Sequence, residues 1–313
     1  VDVLRPWDAD WRYSIDPLNR PPLKPYKTSA ELRNTSSSIF HHVDPMLGDY
    51  FDIMDRENLL DLDNRKGKAP GGYCTYFANV KRPFIFMNGV GGHEDVQTML
   101  HEAGHCFHAF ESSKLPYYQQ GEVTMEFAEV ASMAMELLAA PYLTNDNGGF
   151  YSHPEAARAR ADHLTKLVRF WCYMSVVDGF QHWVYTHIED AKDANKCDAK
   201  WTELWQRFMP VEDWTGFEAE LGSYWHRQLH IFEIPFYYVE YGLAQLGAVQ
   251  IWRNSLTDQA QAVASYRRAL ALGGTATLPE LFATAGAKFA FDEAILHEAV
   301  ALIEETLDDL ESA

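Results

Sequence analysis

Most of this chain reads as helix, with one short interruption that does not. Apolar residues recur at three- and four-residue spacing through 27–60, where Met46, Leu47, Tyr50, Phe51, Ile53 and Met54 share a face and Thr28 and Ser29 offer a cap. From 64 to 92 the pattern changes. Lys66-Gly67-Lys68-Ala69-Pro70-Gly71-Gly72 reads as a loop, and Tyr73–Val80 and Pro83–Asn88 carry the β-branched and aromatic composition of strands. Gly89, Gly91 and Gly92 then break the chain. After 93 the helical period returns and predicts helices over 94–112, 121–140, 154–192, 199–208, 235–254, 257–272, 277–285 and 291–311. Pro141, Pro210 and Pro235 mark boundaries, and Gly273-Gly274 ends another segment. Residues 1–30, with Pro6, Pro17, Pro21, Pro22 and Pro25 among Trp7, Trp11, Tyr13 and Tyr26, predict an irregular arm.

The whole is expected to be one mostly α catalytic domain over 1–313: the arm at 1–30, a small sheet and glycine-rich loop at 64–92, and a helical body at 93–313. A composition 47% hydrophobic and 23% charged excludes disordered, collagen-like and coiled-coil chains. Twenty-six basic against 45 acidic residues give a net charge of −19, which repels phosphate backbones and anionic membranes alike. Neither a nucleic-acid nor a membrane partner is therefore expected. The apolar runs at 83–90 and 127–138 fall short of the roughly 20 residues a bilayer needs. Cys74, Cys106, Cys172 and Cys197 lack CxxC spacing and read as free thiols. No charged-then-apolar segment opens the sequence, so a cytoplasmic location is expected, although the chain starts at Val1. The glycines at 89–92 match neither nucleotide-binding pattern and predict turn geometry or close peptide approach.

The chemistry concentrates in His101-Glu102-Ala103-Gly104-His105. On a helix, positions i and i+4 share a face, so two imidazoles can hold one Zn²⁺ and the glutamate between them can reach a water on it. Val96, Met99, Leu100, Ala103, Phe107 and Phe110 form an apolar stripe, with His101, His105 and His108 opposite. Catalytic zinc usually takes a third protein ligand. The predicted helix at 121–140 offers Glu122, Glu126, Glu129 and Glu136 on one side, a carboxylate row that a metal and its histidines would stabilise. Side-chain physics does not choose among the four, and a thermolysin-like spacing favours Glu126.

These residues resemble the oligopeptidase metallopeptidases that include thimet oligopeptidase and, closer, oligoendopeptidase F. The resemblance runs through Leu4-Arg5-Pro6-Trp7-Asp8, Lys66-Gly67-Lys68 with Gly71-Gly72-Tyr73, Asp95–Leu100, and Phe127-Ala128-Glu129-Val130-Ala131-Ser132 followed by Glu136. Ala131 stands where the family's stretch often has proline. A further block, Trp225, His230 and Pro235-Phe236-Tyr237-Tyr238-Val239-Glu240-Tyr241, is similar to the segment that carries the family's cleft histidine and tyrosines.

The resemblance implies a zincin-type helical fold with a small sheet beside the HExxH helix. It implies one Zn²⁺ per chain on His101, His105 and Glu129, and Glu102 as general base. Glu126 or Glu136 would orient a ligand histidine. His230 and Tyr241 would donate to the oxyanion, with Tyr237 and Tyr238 competing for a second tyrosine role. Substrate backbone would pair near Gly71, Gly72 and Tyr73. The implied activity is zinc-dependent endopeptidase action on oligopeptides; a non-peptidase zinc hydrolase and an inactive peptide-binding module are the alternatives. Single-chain members are about twice this length, so the family's N-terminal half is expected to be missing, and self-association or a second chain is expected to supply that wall.

Overall fold

In a computed structural model, which describes residues 3–9 and 20–312, the helices and strands follow one another as follows. Helix α1 spans Pro6–Ala9, α2 Ser29–Val43 and α3 Pro45–Arg56; strands β1, β2 and β3 span Leu60–Asp63, Tyr73–Phe77 and Arg82–Gly89. Helix α4 spans His93–Ser112, α5 Met125–Ala139, α6 His153–Thr186, α7 Ala194–Phe208, α8 Glu218–Gly222 and α9 His230–Glu233. Helices α10 to α13 span Tyr238–Thr257, Gln259–Leu270, Leu278–Thr284 and Glu293–Ser312. The chain forms two compact units, one of Val1–Pro22 with Thr165–Gly242, the other of Leu23–Leu164 with Leu243–Ala313.

The expected helix over 27–60 is two helices, with a strand beginning at its last residue. Thr28 caps the first, accepting from the Glu31 N–H while Glu31 returns a carboxylate to the Thr28 N–H. Pro45 has no N–H to continue that ladder, so it begins a second helix, and the Asp44 side chain accepts from the Met46 N–H. Leu60–Asp63 then pairs parallel with β3. The sheet order is β1-β3-β2, with β2 antiparallel to β3, which leaves β2 as an edge strand.

Two features of the glycine-rich region are structural. The Lys68 amine is buried and donates to the backbone carbonyls of Asp61, Asp63 and Met87, tying the loop to the sheet. At the β3–α4 turn, the N–H groups of Val90, Gly91 and Gly92 all donate to Asp95 Oδ2, at 2.8–2.9 Å. Tyr26 Oη donates to the same oxygen at 2.6 Å. A nest of backbone donors is thus filled by the chain's own carboxylate, and the turn expected from the glycines is what forms. Gly91 sits at φ +89°, open to glycine at little cost.

In the second unit α4 packs on α5, on α11 and on the sheet. The apolar stripe of α4 is fully buried as expected, but Glu102, Cys106 and His108 are buried too, so this helix is enclosed on most sides rather than two-faced. The other unit centres on Val176, Phe180, Trp201, Leu204, Trp205 and Leu221. There Leu4 bridges to Glu212, Trp7 packs edge-on against Phe217 at 5.2 Å, and the Arg5 guanidinium donates to the carbonyls of Asp213 and Thr215. Trp11, Tyr13 and Pro17 of the expected arm lie outside the described residues. All four cysteines are free, with the Sγ atoms of Cys74 and Cys106 3.4 Å apart. Among the described residues no helix is long and apolar enough to cross a membrane.

Candidate metal and active site

Helices α4 and α5 bring three donors together. Nε2 of His101 lies 3.3 Å from Glu129 Oε2, and Nε2 of His105 lies 3.7 Å from the same oxygen. The first is at the weak end of the hydrogen-bond range and the second is beyond it. They lie within, and about 0.1 Å beyond, the roughly 3.3–3.6 Å between ligand atoms that each sit about 2.0–2.2 Å from one tetrahedral ion. The chemistry of the set, two imidazoles and one carboxylate, is that of catalytic zinc sites. Of the four candidate glutamates Glu129 is the one in this group. Glu126, half-buried one turn earlier, is not part of it, and Glu122 precedes the helix. His108, on the expected histidine stripe, also stays outside the donor group.

Each donor is held from behind. Nδ1 of His101 is 2.7 Å from Glu136 Oε1; a carboxylate can only accept, so Nδ1 carries a proton and Nε2 is the nitrogen turned toward the other donors. His105 bonds the Ala128 backbone. Ser132 Oγ donates to Glu129 Oε2 at 2.9 Å. Behind Glu136 stands His163 of α6, its Nε2 2.8 Å from Oε2. No motif pointed to His163; it lies 27 positions beyond Glu136 on a different helix, and only the fold puts it there.

The electrostatics follow from burial against partners. Burial opposes the charge of Glu136, but the bond from His101 and the close His163 imidazole outweigh it and hold this carboxyl down at about 2. Burial likewise works against Glu129, yet the bond from His101 and the charge of His105 leave it below the usual carboxylate range. Burial and the neighbouring His101 push His105 down to about 4, so it is neutral, the form a ligand needs. His101 is desolvated too, but the adjoining Glu129 and Glu136 carboxylates raise it well above an ordinary histidine, so a metal taken up at its Nε2 would displace a proton.

Glu102 is 7% exposed, and burial is the main cause that raises its carboxyl, with the charge of Glu129 adding to it. The backbone N–H of Cys74 donates to it. A buried carboxylate beside the donor group, with a raised pKa, suits a proton acceptor.

The remaining expected residues occupy other places. Gly71 lies at φ +98° with its carbonyl bonded by the Asn88 amide, and Gly72 packs against Thr98 closely enough that a Cβ would meet the Thr98 methyl at 2.9 Å. Tyr73 opens the edge strand β2 and is half-exposed. His230, Tyr237, Tyr238 and Tyr241 belong to the other unit. There they form an aromatic cluster, with the His230 ring centroid 5.0 Å from Tyr238, 6.0 Å from Tyr237 and 6.1 Å from Tyr241. Gln228 bonds His230 Nδ1 at 2.6 Å.

Glu136 gives a direct measurement. Glu136→Gln keeps the shape but weakens the acceptor behind His101. Zinc affinity at neutral pH is expected to fall about 10- to 100-fold, as competitive chelator titration would show. An unchanged affinity would mean that this contact does not tune the site.

Comparison with known proteins agrees with the resemblance. Residues 47–301 match peptidase family M3. The chain is 25% identical over 258 residues to oligopeptidase PepF of Bacillus subtilis (strain 168), covering 80% of this chain and 37% of that protein. It is 25% identical over 272 residues to the chromosomal oligoendopeptidase F of Lactococcus lactis subsp. cremoris, covering 82% of this chain and 41% of that one. Among solved structures, PZ peptidase A with inhibitor 2 superimposes with a TM-score of 0.86 at 30% identity, over 99% of this chain and 53% of that one. The chain thus spans about half, or less, of the length of each relative. Since the matched stretch runs from α3 through the sheet and the donor helices α4 and α5 into α13, the chain belongs to peptidase family M3.

Proposed function

We propose that this chain carries the catalytic site of a zinc-dependent endopeptidase that hydrolyses internal bonds of oligopeptides. The observation that carries the reading is the convergence of His101, His105 and Glu129 on one point, with Glu102 buried beside them. Zinc bound to these three residues would supply Lewis acidity and lower the pKa of a water in its open position. Glu102 takes the proton from the attacking water at its carboxylate and passes it to the leaving amine. Glu136 and Ser132 keep His101 and Glu129 aimed, so little reorganisation is needed as charge develops. On the family resemblance, His230 and Tyr241, with Tyr237 or Tyr238, would donate to the oxyanion. Glu126 is left as a half-buried flank of the site. The edge strand from Tyr73, preceded by Gly71 and Gly72, offers backbone to pair with an extended peptide.

The test uses the purified chain with quenched peptides set against ester and simple amide panels. Internal peptide cleavage, lost with a chelator and restored by zinc, supports the reading. Hydrolysis confined to esters or amides would favour a non-peptidase zinc hydrolase, and binding without hydrolysis an inactive module.

A further inference from the structure

The Sγ atoms of Cys74 and Cys106 are in contact at 3.4 Å, although they lie 32 positions apart and on different elements, β2 and α4. A disulfide spans about 2.05 Å, so the two sulfurs need approach by only about 1.4 Å to bond. The thiols are unequal in access. Cys74 is half-buried and lines the cleft beside His105 and Glu129, where a small solute reaches it. Cys106 is fully buried behind it. An accessible thiol in contact with a second one is the arrangement in which a first oxidation is resolved as a disulfide. Cys172 and Cys197 belong to the other unit. The pair also touches the parts on which turnover would depend. The Cys74 backbone N–H donates to the Glu102 carboxylate, and Cys106 follows His105 directly, one turn after Glu102 on the same side of α4.

We infer that Cys74 and Cys106 are an oxidative modification site: hydrogen peroxide joins them in a disulfide that staples β2 to α4 and reversibly slows turnover without displacing zinc. The effect on turnover rests on the peptidase reading above; formation of the bond does not. The Cys74 sulfur attacks a peroxide oxygen, the O–O bond breaks, and a water leaves a sulfenic acid behind. The Cys106 sulfur then attacks the Cys74 sulfur, the S–O bond breaks, and a second water leaves. Two thiols give up two electrons and two protons, and one peroxide becomes two waters. Which element yields decides the effect. Helix α4 packs on α5, on α11 and on the sheet, whereas β2 is an edge strand paired with β3 alone. Closing the gap therefore draws β2 toward α4 and moves the Cys74 N–H against Glu102. A displacement of about 1 Å at a group placed for catalysis costs up to about 10²-fold in rate. Neither sulfur belongs to the converging donors, so the metal-holding residues are not consumed.

The experiment treats the zinc-loaded chain with hydrogen peroxide and removes the excess with catalase. Unreduced peptides are then mapped by mass, zinc content is measured, and turnover of a quenched peptide is followed before and after dithiothreitol. The wild-type chain is expected to show a Cys74–Cys106 cross-link, unchanged zinc, and turnover lowered by about tenfold or more that dithiothreitol restores. Cys106→Ala keeps the accessible thiol and removes its partner; Cys74→Ser does the reverse. Each variant is compared with itself before and after peroxide, so a changed starting activity does not enter. Both should form no cross-link and lose less than about twofold, because a sulfenic acid alone does not pull β2. Absence of the cross-link in the wild-type chain, a cross-link that leaves turnover unchanged, or an equal loss in Cys106→Ala would each overturn the proposal while leaving the peptidase reading intact. A reduced wild-type chain that cleaves no peptide removes the peptidase reading and with it the effect on turnover, and the mass map still decides whether the two thiols are a modification site.

Discussion

Glu102→Gln is expected to lower peptide turnover by about 10²–10⁴-fold without loss of zinc or of folding stability. On the transition-state scale that is about 3–5.5 kcal/mol, a large effect for one oxygen-to-nitrogen change. Three structural facts make the outcome specific. Glu102 is not one of the converging donors, so the three residues proposed to hold the metal are untouched. The Cys74 N–H that donates to the carboxylate can donate equally to the amide oxygen of glutamine. Burial raises the Glu102 carboxyl, which means that the fold tolerates its charge rather than gaining from it. A neutral isostere should leave the melting temperature unchanged or higher, as is common where a site holds a group for chemistry and not for stability. Metal content by mass spectrometry, thermal unfolding and single-turnover hydrolysis separate the roles. Near-wild-type turnover would sink the general-base assignment, and loss of zinc would show a structural role instead.

Residue pattern and physical reasoning reached some of this site and missed the rest, for identifiable reasons. The histidine spacing on α4 is local, set by 3.6 residues per turn, and so it was readable from five letters. Among the carboxylates of α5 the choice is not local. Glu126 and Glu129 both fall on a plausible face, and the axial position of α5 against α4 decides between them. The resemblance pointed to Glu129 where spacing alone did not. His163 carries no motif, and its meeting with Glu136 depends on how α6 packs. β1 escaped because Leu60-Asp61-Leu62-Asp63 is four residues long, too short for a period, and its partner strand lies more than 20 residues on. The break at Asp44-Pro45 was legible from proline alone and was hidden by an apolar face that happens to stay in phase across it.

Gly104 holds information that the HExxH pattern treats as filler. A Cβ built there would stand 2.6 Å from the Ala131 carbonyl oxygen and 2.6 Å from the Ser132 Cα. These are backbone atoms of α5, and neither can swing aside as a side-chain end could. The Ala131 carbonyl oxygen also accepts from Tyr266 Oη, 2.7 Å away on α11, which ties it further. Relief therefore requires α4 and α5 to part, by on the order of 1 Å if ordinary contact distances are to return. The two opposing effects of Gly104→Ala can be weighed. Replacing glycine inside a helix gains about 1 kcal/mol in propensity. Overpacking a close backbone contact costs about 1–3 kcal/mol, and more where nothing yields. We expect the clash to win, with a net loss of about 1–2 kcal/mol in denaturant unfolding of the metal-free chain. The second consequence is larger. Gly104 lies between His101 and His105, and Ala131 follows Glu129 by two positions, so parting the helices spreads the very donors that must sit about 2 Å from one ion. Zinc affinity is expected to fall by more than the 10- to 100-fold expected for loss of an outer contact such as Glu136. Denaturant titration of the metal-free protein and chelator competition for zinc read the two effects separately. A variant stabilised by about 1 kcal/mol, with zinc affinity unchanged, would show that the helices have room for a methyl group and that the close crossing does not set the spacing of the donors.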